Sequence, residues 1–324
     1  MRDYFVSSCV KLHVNYADLP FNADHDENVA QRVTDRISEA LGQAGDAYAY
    51  LLPSGMQEDT AIKLKRRYLM DADTKEAPYS VLYLRMDEAL SVQTALSDHA
   101  VISARCAGDN MLKALEEARR VRQQLAKTGL LARDEEYGYL TAYPCDAGTG
   151  MRASAVLHLP MMHLARQTEK MIKILGEKGM ILRPYSGEIG KVLGGLYVIE
   201  NRAALGKPAQ ERAQDVIDCA QKICAAERRC REEARQKEDV AVYDAIWRAY
   251  GIAKFARRLN MGDTLNLWSS LTLGVSLGAF EVSEELLRDL WELSEGKRPG
   301  EADEMGNPDI LRAQRVRFLL NGGN

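Results

Sequence analysis

The chain has 324 residues, 46% of them hydrophobic and 28% charged, with a formal net charge of −4, enough for a sizeable core and, at ordinary domain sizes, for two domains. This slightly acidic balance, without a long run of like charge, excludes a nucleic-acid binder built on a basic surface. Six cysteines with no C-x-x-C pair and five dispersed histidines exclude a zinc site or disulfide framework of the usual spacing, so no metal is expected.

The opening "MRDYFVSSCV" carries no apolar stretch of signal-peptide length, and no uncharged run approaches a spanning helix, so a cytoplasmic protein without membrane contact is expected. Next, "VSSCVKLHVN" alternates. Val10, Leu12 and Val14 point one way and Cys9, Lys11 and His13 the other, which is a strand with one polar face. Strand-like runs follow at "SVLYLRM", "ALSVQTAL", "AVISARC", "YGYLTAY", "ASAVLHL", "GMILRPY" and "GLYVIE". Helical periodicity separates them. In "NMLKALEEARRVRQQLA", Met111, Leu115, Ala118 and Leu125 share a face, and "MMHLARQTEKMIKILGEKG" reads as one helix ending at Gly179.

Beyond about Pro208 the character changes to a long charged helix, "QERAQDVIDCAQKICAAERRCREEARQKED", and then to helices with short breaks. "GKRPGEADEMGNPD" reads as a flexible linker. After it Asn307 fits an N-cap and Pro308 the first position of a final helix. The mixed order of strands and helices predicts an α+β fold with an antiparallel-rich sheet over residues 1–238, and an all-helical domain over 239–324. The latter places Tyr243, Ile246, Trp247, Tyr250, Leu267, Trp268, Leu271 and Leu277 in a short helical region. So many large side chains predict self-association, the alternative being that the helices pack back on the sheet domain.

The chemistry-bearing stretch is "YLTAYPCDAGTGMRAS", residues 139–154, where a glycine-rich turn and an arginine follow an alternating run. Gly148-Thr149-Gly150 is explained equally well as a tight turn, and no lysine stands where a Walker loop needs one. Arg152 favours an anion, because a guanidinium binds phosphate through two parallel hydrogen bonds.

As a whole, "YLTAYPCDAGTGMRASAVLHLP" resembles the signature of the ATP:guanido phosphotransferases, approximately Y-L-T-x-C-P-T-N-x-G-T-G-x-R-A-S. It is most similar to the form found in bacterial protein arginine kinases of the McsB type. "VSSCVKLHVN" resembles that family's S-S-R-I-R-L-A-R-N strand, and "LSDHAVI" its N-E-E-D-H-x-R-I segment. "LRPYSGEIGKVLGGLYVIEN" resembles its V-R-G-x-Y-G-E-G-S-x-x-x-G-N-x-x-Q-I-S-N loop. "VYDAIWRAYGIAKFARRL" and "LGVSLGAF" look like the helical C-terminal domain of the protein arginine kinases, so the resemblance runs along nearly the whole chain.

The resemblance implies nucleotide-phosphate ligands at Arg152 and Arg183, beside the turn Gly148, Thr149, Gly150. It also shows losses. Cys9 and Lys11 stand where two further phosphate-binding arginines belong, and Val101 replaces the arginine of D-H-x-R. Leu96 and Ser97 occupy the positions of the paired glutamates, one of which is the family's carboxylate for deprotonating the guanidinium. Tyr143 replaces the reactive cysteine and Asp146 the neighbouring asparagine. Cys145 is two residues from the lost thiol and is expected to be a buried free cysteine rather than its substitute. Near the C-terminus, "NPDILRAQRVR" keeps Asp309, Arg312, Ala313 and Arg317 of an R-D-x-x-R-A phosphoarginine-binding pattern, but Pro308 replaces its first arginine. A capped amphipathic helix explains these residues equally well.

Phosphoryl transfer depends on positioning and on neutralising phosphate charge. Each charge-assisted contact contributes roughly 1.5–3 kcal/mol, so losing two arginines and weakening a third lowers rate or affinity by several orders of magnitude. A missing base removes a further factor of about 10²–10⁴. The expectation is a pseudokinase that acts by binding or assembly, pairing with itself, an active protein arginine kinase or an adaptor in a phosphoarginine-linked quality-control system. It has no cofactor beyond weakly held Mg-ATP at most. Two other readings stay open: an active arginine kinase in which Arg105 or Arg202 enters the phosphate site, and a scaffold that recognises phosphoarginine without nucleotide.

Overall fold

The alternation around Lys11 builds the centre of the molecule in a computed structural model that describes residues 4–71, 77–185, 192–296 and 307–321. In chain order its strands are β1 (Phe5–Val14), β2 (Tyr48–Leu51), β3 (Leu82–Arg85), β4 (Leu90–Thr94), β5 (Ala100–Ala107), β6 (Arg133–Asp134), β7 (Gly138–Tyr139), β8 (Met151–His158), β9 (Met180–Pro184) and β10 (Leu196–Asn201). The helices are α1 (Glu27–Gly42), α2 (Glu58–Arg66), α3 (Met111–Leu125), α4 (Pro160–Leu164), α5 (Gln167–Glu177), α6 (Ala209–Gln236), α7 (Val240–Phe255), α8 (Met261–Leu277), α9 (Glu284–Ser294) and α10 (Pro308–Leu320). Eight strands form one sheet in the order β2-β3-β4-β5-β1-β8-β10-β9, every pairing antiparallel. The fold is thus the antiparallel α+β type expected.

The two faces of β1 have different partners, as its alternation requires. Val10, Leu12 and Val14 are buried in the main core with residues of α1, α3 and α6. Burying each such side chain stabilises by roughly 1.5–3 kcal/mol. On the opposite face the sheet divides. One end is apolar: Val6, Val156, Leu196 and Val198 pack with Trp268 and Leu271 of α8 and with Leu290 and Trp291 of α9. The other end is left to polar side chains, and it holds the candidate site. The C-terminal helices therefore do pack back on the sheet, yet Val240, Trp247, Ile252 and Phe255 of α7 remain exposed.

A buried polar network fixes that packing. Glu227 of α6 accepts hydrogen bonds from Met161 N (3.1 Å), Met162 N (2.8 Å) and Arg231 Nε (2.8 Å). Arg231 reaches His158 of β8, whose Nε2 lies 2.8 Å from Ser269 Oγ of α8. Buried charges persist when so many partners satisfy them. α10 starts as its sequence dictates, with the Asn307 side chain accepting from Asp309 N at 2.9 Å and Pro308 at the first position.

The structure departs from expectation in several places. The single helix read over "MMHLARQTEKMIKILGEKG" is two, α4 and α5, broken where Arg166 takes a left-handed conformation (φ 52°). Only Gly138–Tyr139 of "YGYLTAY" is strand, because the chain turns at residues 143–147 with Asp146 N bonded to Tyr143 O. β2, α1 and α2 were not singled out by pattern. Most of the linker "GKRPGEADEMGNPD" and residues 186–191 of the long loop lie outside the described residues. Among the described residues no helix is long and apolar enough to cross a membrane.

Candidate functional site

Register brings the predicted cations together. Antiparallel pairing sets Lys11 of β1 opposite Arg152 of β8 and Cys9 opposite Arg105 of β5. Arg183 of β9 lies across β10, whose Glu200 pairs with Ser154 two residues beyond Arg152. The result is a polar basin over the central strands.

Each cation of the basin, however, already has a carboxylate. Arg152 donates to Asp146 through Nε (2.6 Å) and Nη2 (3.0 Å). Arg183 donates to Glu200 from Nε (3.3 Å) and Nη2 (3.1 Å). Lys11 Nζ lies 3.4 Å from Asp71 Oδ2. Arg105 meets Glu295, at the end of α9, through Nη2 (2.5 Å) and Nη1 (3.2 Å). These four pairs sum to no net charge. The Asp146 hydrogen bonds hold the Arg152 guanidinium above its ordinary pKa. Asp146 is only 2% exposed against 40% for Arg152, so an anion that draws Arg152 away strands a buried carboxylate, which is costly.

Cys9 and Tyr68 offer the basin no nucleophile, whereas the exposed Cys145 thiol stands 3.4 Å from Arg152 Nη2. Burial pushes the Cys9 thiol up to about 11, despite Lys11 and Arg105 nearby, so it stays protonated at neutral pH. Burial also raises the Tyr68 phenol, to about 12, beneath the Arg183 guanidinium 5.9 Å from its ring.

The residues at the positions where the resemblance places the base and the reactive thiol converge in the fold. Leu96 and Val101 are buried together with Ala77 in a small apolar cluster. Ser97 Oγ stands 3.4 Å from the Tyr143 hydroxyl and 3.4 Å from Asp24 Oδ2. Beneath them Asp98 accepts from His13 Nδ1 (2.8 Å), Asn15 Nδ2 (2.6 Å) and Ala142 N (2.7 Å). Burial pushes its carboxyl up, but those hydrogen bonds outweigh it and the pKa is lowered. His99 takes a hydrogen bond from Tyr16 N on Nδ1 and donates from Nε2 to Pro20 O. That fixes one neutral tautomer and agrees with its lowered pKa, which burial causes.

The glycine turn is occupied by the protein itself. Gly148 N donates to Tyr139 O and Thr149 N to Ala204 O, leaving two of its amides engaged. Gly148 (φ 103°) lies against Leu205, where an added Cβ would stand 2.9 Å from a backbone atom, and Gly150 (φ 65°) would clash with His13 O at 2.7 Å. Both positions demand glycine for conformation and closeness.

Several placements were not legible in the sequence. Cys145 is exposed rather than buried, with Sγ 3.6 Å from Asp146 Oδ2. Asp71 and Glu295 belong to no motif. Glu200 stands where the family loop quoted above has serine, a signal that was available. Arg202 is exposed on the turn after β10. In α10, Arg312 is buried, donates to Leu259 O at 2.9 Å and pairs with Asp309, while Leu259 N bonds to Asp309 O. These two residues thereby tie α10 to the turn between α7 and α8. Among the described residues no cluster of three His, Cys, Asp or Glu is arranged for a metal.

The fold has known counterparts. The family model for the ATP:guanido phosphotransferase C-terminal catalytic domain matches residues 28–230, and that for the protein-arginine kinase McsB C-terminal domain matches residues 239–295. The chain belongs to the ATP:guanido phosphotransferase family, on its protein-arginine kinase branch. A protein-arginine kinase of Desulforamulus reducens is 30% identical over 99% of this chain and 93% of its own length. That of Bacillus subtilis is 27% identical over 98% and 90%. Among solved structures, a lombricine kinase superposes with a TM-score of 0.60 at 20% identity, covering 70% of this chain and 67% of its own. A duplicated taurocyamine kinase from Schistosoma mansoni gives 0.60 at 23%, covering 69% of this chain and 33% of its own.

Proposed function

We propose that this chain is a pseudokinase: a cytoplasmic member of the protein-arginine kinase branch that does not transfer phosphate to arginine and acts through binding and assembly. The observation that carries this reading is the set of four in-chain ion pairs, Lys11–Asp71, Arg105–Glu295, Arg152–Asp146 and Arg183–Glu200. A polyphosphate needs uncompensated cations, and here each would have to give up a carboxylate first. Leu96 and Val101 add apolar surface where the family resemblance puts a base and an arginine. Arg105, which could have restored the missing charge, is held by Glu295. What remains is a weak anion site centred on the half-exposed Arg152.

The exposed side chains on α7 support assembly, with a second copy or an active protein-arginine kinase as partner in a phosphoarginine-linked system. The test of the central reading is incubation of the purified full chain with Mg-ATP and an unfolded protein substrate, read by phosphoarginine mass spectrometry. No phosphoarginine above a no-enzyme control is expected. Accumulation of phosphoarginine that disappears in an Arg152→Ala variant overturns it.

A further inference from the structure

A cavity of about 550 Å³ lies beyond the Arg105–Glu295 pair, between the end of the sheet and helices α8 and α9. Its floor is aromatic and aliphatic. The rings of Trp268 and Trp291 sit 4.8 Å apart at 56°, with Val6, Val275 and Leu287 around them. Trp268, Thr272 and Val275 line it because they follow one another at three- and four-residue spacing on α8. Volume and lining match those of small-molecule sites.

The polar atoms of this wall are unusual. Trp268 Nε1, Thr272 Oγ1 and Arg67 Nε are all buried without a hydrogen-bond partner, and all three residues line the one cavity. Native structures leave few such atoms, and a cluster of them calls for a specific cause. The indole and the Arg67 Nε–H can only donate, so the missing partner is an acceptor. An anion is not called for: Arg67 is paired with Glu88 and its Nε lies 3.9 Å from Glu295, Arg105 is paired with Glu295, and the lining adds Asp87, Glu284 and Glu292 against Arg288 alone. At the rim, the exposed Glu284 and Arg288 carry opposite charges.

We propose that this cavity binds a small uncharged ring compound that carries carbonyl or ring-nitrogen acceptors, its ring against Trp268 and Trp291 and its acceptors toward Trp268 Nε1, Thr272 and Arg67. The site adjoins the phosphate basin, with the Arg105–Glu295 pair as a shared wall, and does not depend on whether the chain is a kinase.

Benzamide, a ring with one amide carbonyl, serves as the probe, and the full chain labelled with ¹⁵N at tryptophan supplies the readout. The indole N–H signals of Trp247, Trp268 and Trp291 are assigned with single Trp→Phe variants. Benzamide is expected to move the Trp268 and Trp291 signals saturably at millimolar concentration, the range such a small molecule reaches, with Trp247 unmoved. Benzoate is expected to bind about tenfold more weakly, and Val275→Phe, which fills the cavity, to weaken benzamide about tenfold. Thr272→Val keeps the shape but removes the hydroxyl, and is expected to weaken benzamide measurably even if the larger change disturbs folding. The proposal is overturned by the absence of saturable shifts, by equal shifts at Trp247, or by unchanged affinity in both variants.

Discussion

Asp146 holds Arg152 in a two-point grip, 2.6 Å to Nε and 3.0 Å to Nη2, from a carboxylate that solvent barely reaches. The family keeps an asparagine at the position of Asp146, which could steady the arginine without neutralising it. Here Asp146 makes Arg152 half of an internal salt bridge. Arg152→Ala is expected to destabilise the fold by about 1–3 kcal/mol, because it leaves the Asp146 carboxylate buried and under-bonded. Adding Asp146→Asn should recover much of that loss. Urea titrations of the two single variants and the double variant measure the coupling; strict additivity would contradict the pairing.

A pH dependence follows from Asp98. Its folded pKa lies below the unfolded value of about 3.9, so it contributes stability that is present above the unfolded pKa and lost as pH falls through the folded one. Urea midpoints of the native chain should drop as pH is lowered below about 4, and Asp98→Asn should flatten that part of the profile. An unchanged slope in the variant would remove Asp98 as the source.

Cysteine reactivity separates the exposed thiol from the buried ones. Cys145 is exposed, whereas burial raises Cys9 to about 11 and Cys224 to about 12. Iodoacetamide at neutral pH should alkylate Cys145 first and reach Cys9 and Cys224 only after unfolding, as peptide mass spectrometry would show. Early labelling of Cys9 would mean that the basin is open to solvent.

Assembly through α7 is expected to depend on Trp247 and Phe255, both exposed on that helix. Light scattering at tens of micromolar should find a dimer for the full chain and a monomer for Trp247→Asp/Phe255→Asp, with the same helical signal in both. A native chain that is monomeric would rule out self-assembly on this surface.

Much of this was legible in the sequence because it depends on local periodicity. The alternation of β1 placed Cys9 and Lys11 on one face and Val10 and Leu12 on the other, and the Asn307-Pro308 pair marked the start of α10. The family motifs singled out Ser97 and Tyr143 one by one, and in the fold their hydroxyls stand 3.4 Å apart. What the sequence could not reveal are the relations that only folding creates. Glu295 meets Arg105 across 190 positions and Asp71 meets Lys11 across 60, and neither carboxylate stands in a recognisable motif. The Arg166 break between α4 and α5 escaped because a left-handed residue leaves no mark on hydrophobic spacing. Cys145 was misjudged because its exposure is set by the turn at residues 143–147, not by its type.

The neutralised basin is the core of the account, and calorimetric titration of Mg-ATP tests it most directly, run on the native full chain and on Asp146→Asn/Glu200→Ser. Freeing two arginines should restore charge-assisted contacts of roughly 1.5–3 kcal/mol each, so the variant is expected to bind at least about tenfold more tightly than a native chain that binds at millimolar concentration or not at all. Micromolar binding of Mg-ATP by the native chain, unaltered when both carboxylates are replaced, would contradict it.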